Sequence, residues 1–239
     1  MTTGKLYIVS TPIGNYGDMT FRAVETLKNC DLIACEDTRR TGLLMKEFDI
    51  ETNLTSYHDH NKNYRSDQIL QKVLNGQNVA IVSDAGTPCI SDPGFVIVRA
   101  ARDKDIEVVG VPGATAAINA IAVSGMPTDK FVFEGFLPHK KGRKSRLEAI
   151  KDEERTLILY ESVHRIIKTM EQLKLYFSDR KVAVLREMTK TYEEFISGTF
   201  DEVISHLGES DPKGEFVIVI EAKKTEKRVK VNKYKDIEN

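Results

Sequence analysis

Cysteine is scarce, with three thiols in 239 residues. Cys30, Cys35 and Cys89 cannot make the disulfide framework of a small secreted domain. Cys30 and Cys35 flank the strand-like Asp31-Leu32-Ile33-Ala34 and are expected as buried thiols. No Cys or His pairs stand at finger spacing, and His58-Asp59-His60 has no further placed ligands, so no metal is expected. Long apolar runs are missing as well. None reaches the roughly 18 residues of a membrane span. Leu6 to Val9 is too short for the apolar core of a secretory leader, and a cytoplasmic location is the expectation.

An excess of either charge is absent too. Lys and Arg number 35 against 36 Asp and Glu, a net charge of −1, which argues against broad electrostatic attraction of nucleic acid. The balance is uneven, however. Lys140-Lys141-Gly142-Arg143-Lys144-Ser145-Arg146 gathers five cations in seven residues, and the stretch from Lys223 to Lys235 is also basic. The first run is either a phosphate-binding footprint or a soluble lead-in to a helix.

What is present is a regular alternation. Apolar runs at Leu6–Val9, Leu32–Cys35, near Leu54, Val79–Val82 and Ile106–Gly110 read as strands. Between them lie helical patterns: one after a Thr20 N-cap, one around Thr41–Phe48, one over Tyr64–Leu74 ended by Asn75-Gly76, and one over Phe95–Arg102. This βα alternation predicts a parallel sheet covered by helices on both faces. The second half reads as a mixed sheet. Its strands are expected at Phe131–Phe136, Thr156–Tyr160 and Val182–Arg186, and a helix at Val163–Phe177. Phe195–Gly198 and Phe216–Glu221 look like two arms of an antiparallel part. The break at Ser124-Gly125-Met126-Pro127 suggests a first domain over 1–122, a second over 123–225 and a frayed charged tail over 226–239.

Three turn-rich loops follow strands: Thr11-Pro12-Ile13-Gly14-Asn15, Ser83 to Gly94, and Val111-Pro112-Gly113-Ala114-Thr115. The second far exceeds the usual connector of about 2–6 residues. Loops at the carboxyl ends of parallel strands converge on one rim, where ligands bind, and glycine lets the backbone approach them. Neither Gly-x-x-x-x-Gly-Lys nor Gly-x-Gly-x-x-Gly occurs, so a phosphate loop and a dinucleotide fingerprint lack support. An adenosine-bearing cofactor without phosphates fits better. Asp84 either reaches polar groups of such a cofactor or, like Asp92, only forms an Asx turn.

Seven segments occur in order: LYIVSTPIGNYGDMTFRAVETLKNCDLIACEDTRRTGLLM, VSDAGTPCISDPG, VPGATAAINAIAVSG, FEGFLPHKKGRKSRL, LILYESVHRI, LREMTKTYEEFISGT and KGEFVIVI. Together they resemble the bacterial 16S ribosomal RNA 2′-O-ribose cytidine methyltransferases of the tetrapyrrole (corrin/porphyrin) methylase superfamily, from residue 5 to about 221. The resemblance implies a two-domain α/β fold with S-adenosylmethionine in the cleft between domains. It also implies a homodimer and methylation of a cytidine in the decoding region of the 16S rRNA, on the free RNA or the small ribosomal subunit. It places Pro12, Asp84, Gly86, Thr87 and Ser91 at the cofactor, with Pro112, Gly113, Thr115 and Tyr160, the last being either cleft-lining or core.

Methyl transfer to a ribose hydroxyl is an in-line displacement that needs alignment and help with a weak nucleophile. Glu36, Glu187 and Lys190 are the catalytic candidates: Lys190 to favour the alkoxide, and either glutamate to orient or accept the proton. Arg39, Arg40, Lys140, Lys141, Arg143 and Lys144 are the candidates for RNA phosphates. A small-molecule methyltransferase of a tetrapyrrole-like compound, and a non-catalytic module holding cofactor and RNA, are the alternatives.

Overall fold

The computed structural model describes residues 2–91, 94–209 and 213–223. The expected frayed tail and most of the basic stretch after Lys223 lie outside the described residues, as does Asp92. The first half alternates strand and helix: β1 (Leu6–Val9), α1 (Phe21–Asn29), β2 (Leu32–Cys35), α2 (Thr38–Glu47), β3 (Leu54–Ser56), α3 (Lys62–Leu74), β4 (Val79–Val82), α4 (Phe95–Arg102), β5 (Val108–Val111) and α5 (Ala116–Val123). The five strands are all parallel, in the order β3-β2-β4-β1-β5. Alternation along each strand divides their side chains between two cores. Val9, Ile33, Cys35, Ala80 and Val82 face α1 and α2, whereas Leu6, Ala34, Val79 and Ile81 face α3 and α4. Cys30 and Cys35 are buried as expected, and burial pushes the Cys30 thiol up to about 12.

The second half contributes β6 (Phe131–Phe136), α6 (Arg143–Ile150), β7 (Thr156–Ser162), α7 (Ile166–Phe177), β8 (Val182–Arg186), β9 (Glu194–Gly198), α8 (Phe200–Glu209) and β10 (Glu215–Ile220). Its sheet is mixed, in the order β6-β7-β10-β8-β9, with only β6 and β7 parallel. One face is covered by α6, α7 and α8 through Leu147, Met170, Leu173, Phe177 and Val203. The other face receives α5: Ala117, Ala120 and Ile121 pack on Ile158, Val217 and Val219. The helix that ends the first half therefore lies on the second sheet, which holds the two sheet rims together.

Several expectations need correction. Helix α2 starts at Thr38 rather than Thr41, because Asp37 caps it by accepting from the Arg39 amide at 2.8 Å. Strand β5 starts at Val108, since the Ile106 amide closes the end of α4 on the Ala101 carbonyl. Helix α7 starts at Ile166, after a turn in which the Arg165 amide reaches the Ser162 carbonyl. Strands β9 and β10 are not paired arms; each flanks β8 on its own side. Helix α8 was not expected, although Thr199 and Glu202 form a reciprocal capping box ahead of Phe200, Val203 and Leu207.

Candidate active site

Strands β4, β1 and β5 are neighbours, so the three turn-rich loops that follow them emerge side by side. They are stitched together. Thr11 and Gly86 exchange backbone hydrogen bonds at 2.9 and 3.1 Å. The Ser10 and Thr87 hydroxyls meet at 2.9 Å, and the Thr87 hydroxyl donates to the Ala114 carbonyl at 3.2 Å. Gly86 has φ +80, and a Cβ there would stand 3.3 Å from the Ile13 side chain. Further along the long loop, Cys89 (φ +74) and Ser91 (φ +67) are non-glycine residues in the left-handed region, a conformation that persists only where surrounding contacts enforce it.

These loops face the second sheet across a cavity of about 340 Å³, within the range of small-molecule sites. From the first half it is lined by Ile13, Glu36, Asp84, Gly86, Thr87 and Thr115, with Arg40, Ile90 and Ser91. The second half supplies Phe136, the end of β7 (Tyr160, Glu161, Ser162), the start of β10 (Glu215 to Val217), Met188 and Lys190. The antiparallel register that sets Glu215 opposite Ser162 brings those two strand ends to one rim.

Asp84 sits inside a small network: its carboxylate accepts from the Asp37 amide at 3.2 Å and pairs with Arg40 at 3.3 Å. The Tyr160 hydroxyl accepts from the Ala117 amide at 3.1 Å, and its ring meets Phe133 and Phe136 edge-on at 5.0 and 5.6 Å. Tyr160 is thus both a cleft residue and a tie to α5.

Lys190 carries the charge of the opposite wall. Its Nζ lies 2.8 Å from Glu187 and 3.0 Å from Glu215. Burial pulls its pKa down, but hydrogen bonds and charge from the two glutamates outweigh this and raise it. Burial likewise pushes Glu187 up, and the Lys190 ammonium together with the Glu215 amide brings it below the usual glutamate range. Lys190 is thus a cation held in place by two glutamates. The loop holding it is strained at Glu187 (φ +48) and Thr189 (φ +67).

The structure thus brings Glu36, Asp84, Gly86, Thr87, Ser91, Thr115, Tyr160, Lys190 and Arg40 to one cavity. It leaves Pro12, Pro112 and Gly113 outside its lining. Pro12 is a buried residue of the first loop, and Pro112 is exposed. Gly113 serves packing, since a Cβ there would stand 2.9 Å from the Ser10 Cβ. Glu187 holds Lys190 without lining the cavity. Arg39 is exposed and forks onto Asp37 at 2.8 and 3.1 Å, holding that carboxyl well below its usual range.

Lys140, Lys141 and Lys144 are exposed. Arg143 is not: it is 8% exposed and bonded on all sides, so it cannot meet phosphate as expected. In helix α6 it falls on the buried face with Leu147 and Ile150. Phe136, Glu161, Met188 and Glu215 were missed. Glu161 was legible as the neighbour of Tyr160, but Glu215 joins the site only through the β7–β10 register.

A family model for the tetrapyrrole (corrin/porphyrin) methylases matches residues 5–204. The chain belongs to this family. It is 52% identical over 219 residues to "Ribosomal RNA small subunit methyltransferase I" of Synechocystis sp., covering 91% of this chain and 78% of that one. The protein of the same name from Bacillus subtilis is 49% identical over 224 residues, covering 93% and 77%. Among solved structures, diphthine synthase superposes with a TM-score of 0.73 at 12% identity, covering 93% of this chain and 92% of that one. Uroporphyrin-III-C-methyltransferase from Thermus thermophilus follows with 0.63 at 20%, covering 90% and 94%. These two likenesses speak for the fold.

The methyl donor is S-adenosylmethionine, and the cavity fits it. Gly86 brings backbone to the wall where a side chain would meet Ile13, the hydroxyl of Thr87 lies beside it, and Asp84 and Glu36 supply carboxylates suited to a cationic, hydroxyl-bearing donor. Among the described residues no cluster of His, Cys, Asp or Glu is placed to hold a metal, and no helix is long and apolar enough to cross a membrane.

Proposed function

We propose that this protein transfers a methyl group from S-adenosylmethionine to the 2′-hydroxyl of a cytidine in the decoding region of the small-subunit ribosomal RNA. Identity near 50% over nine-tenths of the chain with relatives named as small-subunit rRNA methyltransferases supports the substrate. The observation that carries the chemistry is Lys190, a charge fixed by two carboxylates in the wall of the donor cavity.

When bound, the donor supplies an electrophilic methyl on a sulfonium, and no metal is needed to activate it. The residues then have two tasks. The first is alignment, since holding oxygen, carbon and sulfur in line accounts for much of the rate. Gly86, Thr87 and Thr115 on one side and Tyr160 on the other seat the donor. Asp84, backed by Arg40, would offer its carboxylate to polar groups of the donor. The second task is to make the hydroxyl oxygen nucleophilic. As the carbon–oxygen bond forms and the carbon–sulfur bond breaks, the hydroxyl proton must leave. Glu36 in the cavity wall takes it, and the Lys190 ammonium favours the developing negative charge on oxygen. Glu187, already held by Lys190, positions the cation.

RNA approaches over Arg40, Arg39 and the exposed Lys140, Lys141 and Lys144. A homodimer belongs to the same reading. Ile118 and Val123, 48% and 55% exposed on α5 beside its buried face, suit a subunit contact. Light scattering of the purified protein tests this.

The decisive experiment supplies methyl-labelled donor with small ribosomal subunits and, separately, their free RNA. Label should enter RNA and make the bond after the target ribose resistant to alkali. Transfer only to a small tetrapyrrole-like acceptor overturns the reading. So does donor binding without transfer to either RNA form.

A further inference from the structure

The run Lys140 to Arg146 contains a buried arginine whose chemistry the RNA reading leaves unused. Arg143 is buried at the start of α6, and its guanidinium makes three hydrogen bonds to two other segments, α7 and the chain after β6. Nε donates to Gln172 Oε1 at 2.6 Å and Nη2 to Thr169 Oγ1 at 2.7 Å, both on α7. Nη1 donates to the Pro138 carbonyl at 3.1 Å. Thr169 passes the contact on, because its hydroxyl, accepting from Arg143, donates to Glu161 Oε2 at 2.7 Å. The other oxygen of Glu161 takes Arg165 Nη2 at 2.7 Å, and Arg165 Nη1 points to the Leu137 carbonyl at 3.4 Å.

One buried carboxylate at the end of β7 thus orders two arginines that reach the carbonyls of consecutive residues, Leu137 and Pro138. These carbonyls leave β6 just where it ends, and donors there satisfy backbone groups that the sheet no longer serves. The segment has two faces. Phe136, at its start, lines the donor cavity against the Tyr160 ring, while His139, Lys140 and Lys141 are exposed. We propose that Arg143 and Arg165, ordered by Glu161, are positioning residues. They clamp segment 136–141 so that the cavity wall at Phe136 and the lysines at 140 and 141 move as one piece.

Geometry and charge are separable at position 143. A lysine at 143 keeps the positive charge near Glu161 but, as a single ammonium, cannot reach Gln172, Thr169 and Pro138 together. Hydrogen–deuterium exchange of the full-length protein, with Arg143→Lys and Thr169→Val compared with wild type, tests the clamp. Both variants should exchange faster over 137–142, with little change in the strands of the first sheet. Thr169→Val cuts only the hydroxyl link and serves if Arg143→Lys does not fold. Wild-type exchange over 137–142 in a folded variant overturns the proposal.

A second arm, resting on the RNA reading of Lys140 and Lys141, measures KM for RNA and kcat. Arg143→Lys should raise KM at least about threefold with a smaller change in kcat, and adding Lys140→Ala and Lys141→Ala should raise it less than additivity requires. Fully additive effects overturn the coupling. A loosened segment with unchanged KM in both the Arg143→Lys and the double lysine variant supports the clamp and overturns the assignment of these lysines to RNA.

Discussion

The side chain of Lys190 runs across Gly14 so closely that a Cβ at Gly14 would stand 2.4 Å from the Lys190 Cγ. The two residues come from opposite halves, one from the loop after β1 and the other from the loop after β8. The cation of the second wall is therefore set by the absence of a side chain on the first. Gly14→Ala should push Lys190 out of its place between Glu187 and Glu215. The expected outcome is a kcat at least about tenfold lower with a much smaller change in donor affinity, because positioning of a reacting group is lost rather than its seat. Steady-state kinetics beside calorimetric donor titration check this, and an unchanged kcat removes Lys190 from the reaction.

Removing the charge tests the same group directly. Lys190→Met should lower kcat by about 10²-fold, the usual cost of losing one preorganised stabiliser of developing negative charge. Its pH behaviour follows from the pair. Lys190 is raised above its ordinary value, so its contribution holds below that value and fades as pH rises through the raised one. Glu187 is depressed, so its contribution holds above the ordinary glutamate value and fades as pH falls through the depressed one. Activity should be flat between those limits as far as this pair is concerned. Glu187→Gln should bring the alkaline loss to lower pH, since one of the two carboxylates raising Lys190 is gone. A kcat–pH profile of the variant whose alkaline limb has not moved contradicts this.

How much of this was legible before the fold was known depends on how local each feature is. The buried strands β1, β2 and β4 and the Thr20 cap are written in short runs, and the three turn-rich loops could be placed on one rim by topology alone. The identity of the donor and the reaction came instead from resemblance, and the catalytic candidates from what that reaction asks of polar residues just after strands. Arg143 misled because charge in a short run reads as surface, although its spacing to Leu147 and Ile150 already matched a buried helical face. Glu215 joins the site through strand register, and the reach of Arg143 to α7 and of Arg165 to Leu137 arises from helices packing across a sheet. Those contacts join residues far apart in the chain and leave no local mark.

Tyr160 offers a test of how the donor cavity is tied to α5. Its hydroxyl oxygen accepts the Ala117 amide at the first turn of that helix. Tyr160→Phe keeps the ring between Phe133 and Phe136 but leaves the amide without its partner. The protein should lose about 1 kcal/mol of stability, the usual net worth of such a bond, read from urea unfolding. Donor affinity should fall as well, because Thr115 and Ala116 of the cavity wall precede Ala117 in the chain. A stability loss with unaltered donor affinity separates the tie from the seat.

Salt separates the exposed cations from the buried one. If Lys140, Lys141 and Lys144 meet phosphates, each released counterion adds to the slope of log affinity against log salt, by about 0.7 per contact for single-stranded RNA. Alanine at all three should flatten the slope by about 2 and weaken binding most at low salt. Arg40→Ala should flatten it less, since Arg40 is already paired with Asp84 and part of its charge is spent there. Filter binding of RNA across a salt series makes the comparison. A slope that survives the triple lysine substitution means that the basic run is only a solvated surface, and that phosphates are met elsewhere on the rim.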